Sequence, residues 1–234
     1  MSLKLQLLQF YLALPTFAIF FSLLGLLYVR SPLDVSNGYA DLSLWTITIR
    51  GETLFVRLNL LPQLFVLIAS SIMLVAAFWK GRQLFDRRHW ISIPIFLALS
   101  VVAGSLLQYE VFGGIAKSAA TNLLVGILIF IGVFLAVLPT VVPSNTMKYS
   151  DLLMLGALVF SLTAISFFVQ DLVAVYNVAP SALNQGIHEA IIGGRGTGDG
   201  NFFYPVISAL SFIPAALAGT LGAERVLRKW AEWS

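Results

Sequence analysis

The residues of this chain best suited to chemistry are gathered in 179–201, APSALNQGIHEAIIGGRGTGDGN, with Asp171 a short way upstream. Two aspartates, Asp171 and Asp199, bracket the stretch that leads into its glycine-rich end. Carboxylates held close together share one proton, and such a pair can activate water for hydrolysis. The glycines, Gly193, Gly194, Gly196, Gly198 and Gly200, offer a second chemistry, because successive glycine N–H groups can cradle an anion to which Arg195 adds charge. No Lys-Ser or Lys-Thr follows them, and the stretch does not join a strand to a helix as a nucleotide fingerprint would. A cation held by Asp199, Asn201 and backbone carbonyls is a third possibility, but the oxygen spacing falls short of a calcium loop.

Gly196-Thr197-Gly198-Asp199 resembles the Gly-x-Gly-Asp motif of presenilin-like and prepilin-peptidase-like intramembrane proteases, and Gln170-Asp171-Leu172 resembles the position of their first aspartate. The resemblance spans about thirty residues of 234 and implies Asp171 and Asp199 as the catalytic pair. Gln170 stands where presenilins carry tyrosine, and no later Pro-Ala-Leu follows. The simplest structural reading is an outer turn that lets residues 180–192 dip into the membrane as a short amphipathic segment. Ala182, Leu183, Ile187, Ala190 and Ile191 would then face inward, with Gln185, His188 and Glu189 at the rim. His188 and Glu189 are adjacent and point apart on a helix, so they suggest no metal pair.

Composition sets the surroundings. The chain has 234 residues, 59% hydrophobic and 11% charged, against about 25% charged in a soluble domain. Mean hydropathy is +0.90. So few charges cannot cover a water-facing exterior, which makes this an integral, multi-pass protein of the cell membrane. The net charge of +3 is scattered over loops, so no nucleic-acid surface is expected. The absence of cysteine removes disulfides and thiolate metal sites. The two histidines, His89 and His188, lie in different loops, which argues against a haem held by paired histidines. No cofactor and no metal are expected.

Six apolar runs, at about 7–29, 60–79, 91–109, 121–142, 152–175 and 202–223, read as spans of an all-α bundle forming one domain over 1–234. The first begins like a signal sequence, but it exceeds an h-region and lacks a small-x-small cleavage site, so it reads as a retained span. After it, LSLWTITI and TLFVRLN around Arg50-Gly51-Glu52 predict a small extracytoplasmic β-hairpin. Alternation places Leu42, Leu44, Thr46 and Thr48 on one face and Ser43, Trp45, Ile47 and Ile49 on the other. Basic residues number nine in the segments inside under an N-in, C-in arrangement and five outside, which favours that arrangement. Trp79, Trp90, Trp230 and Trp233 fall at the inner boundary, as an aromatic belt requires.

Within the spans almost nothing ionises. Glu110, Asp151 and Asp171 all sit near span ends, so proton- or sodium-coupled transport is not indicated. Ser70, Ser71, Ser100, Ser161, Thr163, Ser166, Ser208 and Ser211 read as groups that bond their own or a neighbouring helix. Ala215, Gly219 and Ala223, with Ala218 and Gly222, form a ridge of small residues for close approach of another helix, most simply one from the same chain.

These features favour a non-enzymatic chain: a membrane-embedded subunit of a transport or translocation complex with no energy-coupling site of its own. The layout is similar to that of the membrane subunit of a small exporter-type ABC permease, which implies that Lys80, Arg82, Arg87 and Arg88 dock a nucleotide-hydrolysing partner. A neutral or lipid-like cargo would suit the apolar spans. The substrate-binding component of a vitamin-type importer is a variant of this reading, its cargo held by outer loops; His188, Glu189, Arg195 and Asp199 lie in the loop before the last span. The alternatives are a non-catalytic structural subunit of a larger respiratory or secretory complex and the Gly-x-Gly-Asp type of aspartyl protease. Expected partners are the bilayer and other membrane or membrane-associated subunits.

Overall fold

Apolar residues in unbroken runs form helices here because a helix satisfies every backbone N–H and C=O within its own segment. The computed structural model describes residues 3–29, 41–81, 91–106, 119–137, 149–192 and 200–233. It contains six helices: α1 (Leu3–Val29), α2 (Leu60–Gly81), α3 (Ser92–Leu106), α4 (Ala119–Val137), α5 (Tyr149–Asn184) and α6 (Gly200–Trp233). Three strands, β1 (Asp41–Ile49), β2 (Glu52–Asn59) and β3 (Glu189–Ile192), form one small sheet in the order β1-β2-β3. Pro15 lies inside α1 and removes one backbone donor; next to it the Thr16 hydroxyl donates to the Leu12 carbonyl at 2.8 Å.

The number of helices agrees with the sequence, but their lengths require a correction. Among the described residues α1, α5 and α6 are long and apolar enough to cross a membrane, whereas the apolar stretches Leu64–Lys80, Ser92–Ala103 and Leu123–Ala136 are shorter. The 15 residues of α3 reach about 22 Å, short of a hydrocarbon core of about 30 Å. The sequence runs on apolar to Tyr109, and from 107 it lies outside the described residues. Conversely, α5 and α6 exceed their predicted spans: α5 continues nine residues past Val175 and α6 ten past Ala223.

The helices alternate in direction. Lys80 at the end of α2 lies 4.0 Å from Asp151 in the first turn of α5. Ser92 at the start of α3 donates to the Gly132 carbonyl of α4 at 2.9 Å. Phe21 in the last third of α1 stacks on Tyr204 near the start of α6, with centroids 5.7 Å apart. The core these contacts enclose is rich in phenylalanine. Phe17 stacks on Phe130 at 4.5 Å, Phe130 leads on to Phe134 and Phe212, and Phe167 stacks on Tyr204 at 5.5 Å. The ridge of small residues on α6 lies against α1: a Cβ on Gly219 would meet the Gln9 carbonyl oxygen at 2.9 Å and Ala13 Cβ at 3.1 Å.

The predicted hairpin forms. Arg50 and Gly51 both have positive φ, 53° and 88°, the two-residue turn whose twist matches that of paired strands. Its alternation breaks at Leu44, where the register shifts between Ser43 and Trp45. Both Leu44 and Trp45 thereby pack towards the helix side, with Ile47 and Ile49. Leu54, Val56 and Leu58 of β2 are buried against Val175, Ala179, Ala182 and Leu183 of α5, so the sheet rests on the end of the longest helix.

Replacing Gly219 with leucine is expected to lower stability in detergent by roughly 1–3 kcal/mol through overpacking. Gly25→Ala, where nothing lies within 4 Å of the new methyl group, is expected to leave stability unchanged or raise it. Thermal unfolding of the two variants checks the pair.

Candidate functional site

The stretch singled out by its chemistry takes a different form from the dipping segment expected. α5 runs through Pro180 to Asn184, giving up the hydrogen bond that residue 180 would have donated, because Ala179, Ala182 and Leu183 are buried under the sheet. The helix then stops at Gly186, whose φ is +72°. Gly186 N–H donates to the Leu183 carbonyl at 2.9 Å and Ile187 N–H to the Ala182 carbonyl at 2.9 Å. This is the paired closure that a left-handed residue allows at a helix end. The chain then pairs as β3, parallel to β2, with Phe55↔Glu189 and Leu58↔Ile192 in register. A strand replaces the amphipathic segment because the open edge of β2 supplies hydrogen-bond partners. Period two then turns Ala190 and Ile192 inward and leaves Ile191 exposed, where helical spacing had placed it inside.

His188 and Glu189 therefore stand on the sheet. His188 Nδ1 lies 3.3 Å from the Thr53 carbonyl, and Glu189 pairs with Arg57 at 3.0 Å. Both partners of that ion pair are substantially exposed, so it contributes little, about 0.2–1 kcal/mol. Among the described residues no group of three His, Cys, Asp or Glu side chains could hold a metal. Arg195, Asp199, Arg82, Arg87 and Arg88 lie outside the described residues. Lys80 lies at the opposite end of the bundle from the sheet, half-exposed beside Asp151.

Asp171 is the aspartate whose surroundings are described. Buried Asn201, in the first turn of α6, donates from Nδ2 to Asp171 Oδ2. The contact brings the carboxylate to the start of α6, the end whose unpaired N–H groups favour negative charge. Asn201 is two positions beyond Asp199 in the sequence, and residues 193–199 lie outside the described residues.

Beside Asp171, and facing a different helix, lies a buried polar network. Gln170 Nε2 donates to the Ser100 carbonyl of α3 and to Ser166 Oγ, both at 3.0 Å, and Ser100 Oγ lies 2.6 Å from Ser166 Oγ. Gln170, Ser100 and Ser166 are fully buried. In apolar surroundings such bonds fix which faces of α3 and α5 meet. Sequence reasoning treated Gln170 only as a departure from a family pattern. Its signal was a glutamine four residues after a serine, both within an apolar span.

The chain matches no family model, no curated protein and no solved structure.

Gln170→Met, similar in volume but without the amide, is expected to destabilise by roughly 0.5–1.5 kcal/mol, the range of interhelical hydrogen bonds in membranes. Combined with Ser100→Ala, the loss should be smaller than the sum of the two single losses, measured by unfolding in a double-mutant cycle. Gly186→Ala, forced into a left-handed conformation, is expected to cost about 1–2 kcal/mol and to loosen β3, seen as faster amide exchange at residues 189–192.

Proposed function

We propose that this chain is the membrane-embedded subunit of a transport or translocation complex whose energy is supplied by another subunit. The observation that carries the reading is α5. Its first turn holds Asp151 against Lys80, which leads directly into the basic stretch Arg82, Arg87 and Arg88, and its last turns carry the sheet. A helix of 36 residues is about 54 Å long, well beyond a hydrocarbon core of about 30 Å. Such a rod can transmit movement from a partner at one end to a head at the other.

In this reading the six apolar runs of the sequence all cross the membrane, with both termini inside and the sheet outside. The alternating helix directions support it. So do the exposed apolar side chains of α1, α2 and α3, among them Tyr11, Leu27, Phe65, Ile72 and Val102, which suit lipid. Trp79 and Trp230, both exposed, lie at the ends of α2 and α6 away from the sheet, where an interfacial belt would sit. Gentle detergent extraction should bring a nucleotide-hydrolysing or other driving subunit with the chain. Changing Arg82, Arg87 and Arg88 together to glutamate should release that partner at least tenfold, while Arg57→Glu on the sheet should not. A chain that purifies alone, or a partner indifferent to the three changes, contradicts the reading.

A second reading rests on the Asp171–Asn201 contact. An aspartyl protease pairs the aspartate of the Gln170-Asp171 stretch with that of the Gly-x-Gly-Asp stretch, and this contact holds Asp171 against Asn201, two positions after Asp199 in the sequence. Asp171→Asn keeps an oxygen to accept the Asn201 hydrogen bond but cannot serve as a catalytic carboxylate. Under the protease reading it abolishes cleavage of a reporter transmembrane peptide by the purified protein while stability holds; with no cleavage in the unmodified protein this reading falls.

A further inference from the structure

Hydroxyl groups in the helices of this protein mostly bond back to a carbonyl of their own helix. Ser70, Ser161, Ser211 and Thr220 donate to the carbonyls of Val66, Ala157, Ile207 and Ala216 at 2.7, 2.8, 2.7 and 2.9 Å. Two fully buried hydroxyls stand apart: Thr163 Oγ1 and Ser208 Oγ have no hydrogen-bond partner of any kind among the described residues. The same holds for Gln170 Oε1. Its orientation is set by chemistry, because the Ser100 carbonyl is an acceptor only and must face Nε2.

These three atoms lie along one seam. At 3.6 residues per turn, Thr163, Ser166 and Gln170 fall within an arc of about 60° on α5. Ser166 and Gln170 on that arc meet α3. The pairing of α5 with α6 is fixed by Asp171 with Asn201 and by Phe167 with Tyr204. One further turn along each helix sets Thr163 level with Ser208. The seam thus runs inward from the Asp171–Asn201 contact along α5 and α6, with α3 at its Gln170 end; Phe167 follows Ser166 on α5, and Phe212 comes one turn after Ser208 on α6.

A buried polar atom without a partner is strongly disfavoured in apolar surroundings, and three along one seam call for a ligand. The groups involved are two hydroxyls and an amide oxygen, all neutral, so they suit an uncharged hydrogen-bonding molecule and not an ion. The smallest is water, which typically makes about three hydrogen bonds to otherwise unsatisfied buried groups. We propose that Thr163 Oγ1, Ser208 Oγ and Gln170 Oε1 bind internal water, forming a hydrated seam between α3, α5 and α6. The hydration goes beyond the transport reading and does not depend on it.

Hydroxyl-radical footprinting by brief X-ray exposure of the purified protein tests this, because bound water generates radicals beside the side chains it touches. Phe167 and Phe212 are expected to be labelled at least threefold faster than Phe17, which is equally buried in the contact between α1 and α4. Thr163→Val, nearly the same shape, and Ser208→Ala should each bring Phe167 and Phe212 down to the Phe17 rate, with Phe17 itself unchanged as a sign that the fold is intact. Thr163→Val should also lower the melting temperature by roughly 2–4 °C. Equal rates at all three phenylalanines in the unmodified protein, or rates that ignore both substitutions, overturn the proposal.

Discussion

A helix longer than a bilayer is thick, and buried along most of its length, is the constraint that the rest of this chain answers. In α5, 67% of the most apolar window is buried by the chain itself, against 22% in α1. Burial on several sides requires neighbours, and α5 has them: α2 through Lys80 and Asp151, α3 through Ser100 and Gln170, α6 through Phe167 and Tyr204. Its projecting end still bears an apolar face, Val175, Ala179, Ala182 and Leu183, and the sheet covers it. The sheet's position is therefore a consequence of the helix's length.

The polar groups follow the same logic. In a core of phenylalanine and aliphatic residues, a hydrogen-bonded glutamine fixes one rotation of α5 against α3, and an aspartate fixes the entry of α6. Apolar packing alone tolerates small rotations, because shape-matched hydrophobic surfaces slide at low cost. The Gln170–Ser166–Ser100 network and the Asp171–Asn201 contact do not, since a misplaced partner leaves a buried polar atom unsatisfied. Both occur on adjacent residues of α5, so a short stretch orients two neighbouring helices.

Local features were legible in the sequence and non-local ones were not. The hairpin was readable because Arg50-Gly51 is a turn signal between two alternating runs. The close contact at Gly219 was readable because small residues recur every fourth position. The strand β3 was hidden: Glu-Ala-Ile-Ile is four residues long, and its parallel partner lies more than a hundred residues earlier in the chain. Pro180 disguised the length of α5, since a proline usually ends a helix and here the covering sheet sustains it. For the candidate site, the sequence pointed to Asp171 through a family resemblance, whereas the fold gives it a partner, Asn201, that the resemblance did not include.

Because the chain contains no cysteine, one substituted cysteine at a time reports sidedness without background. The most direct test of the account is labelling of intact cells with a membrane-impermeant maleimide, using cysteines at Thr53 and Glu189 on the sheet and at Arg228 near the end of α6. A rod that crosses the membrane with the sheet outside predicts labelling of the two sheet positions in intact cells and of Arg228→Cys only after permeabilisation. Labelling of all three from the same side would contradict it.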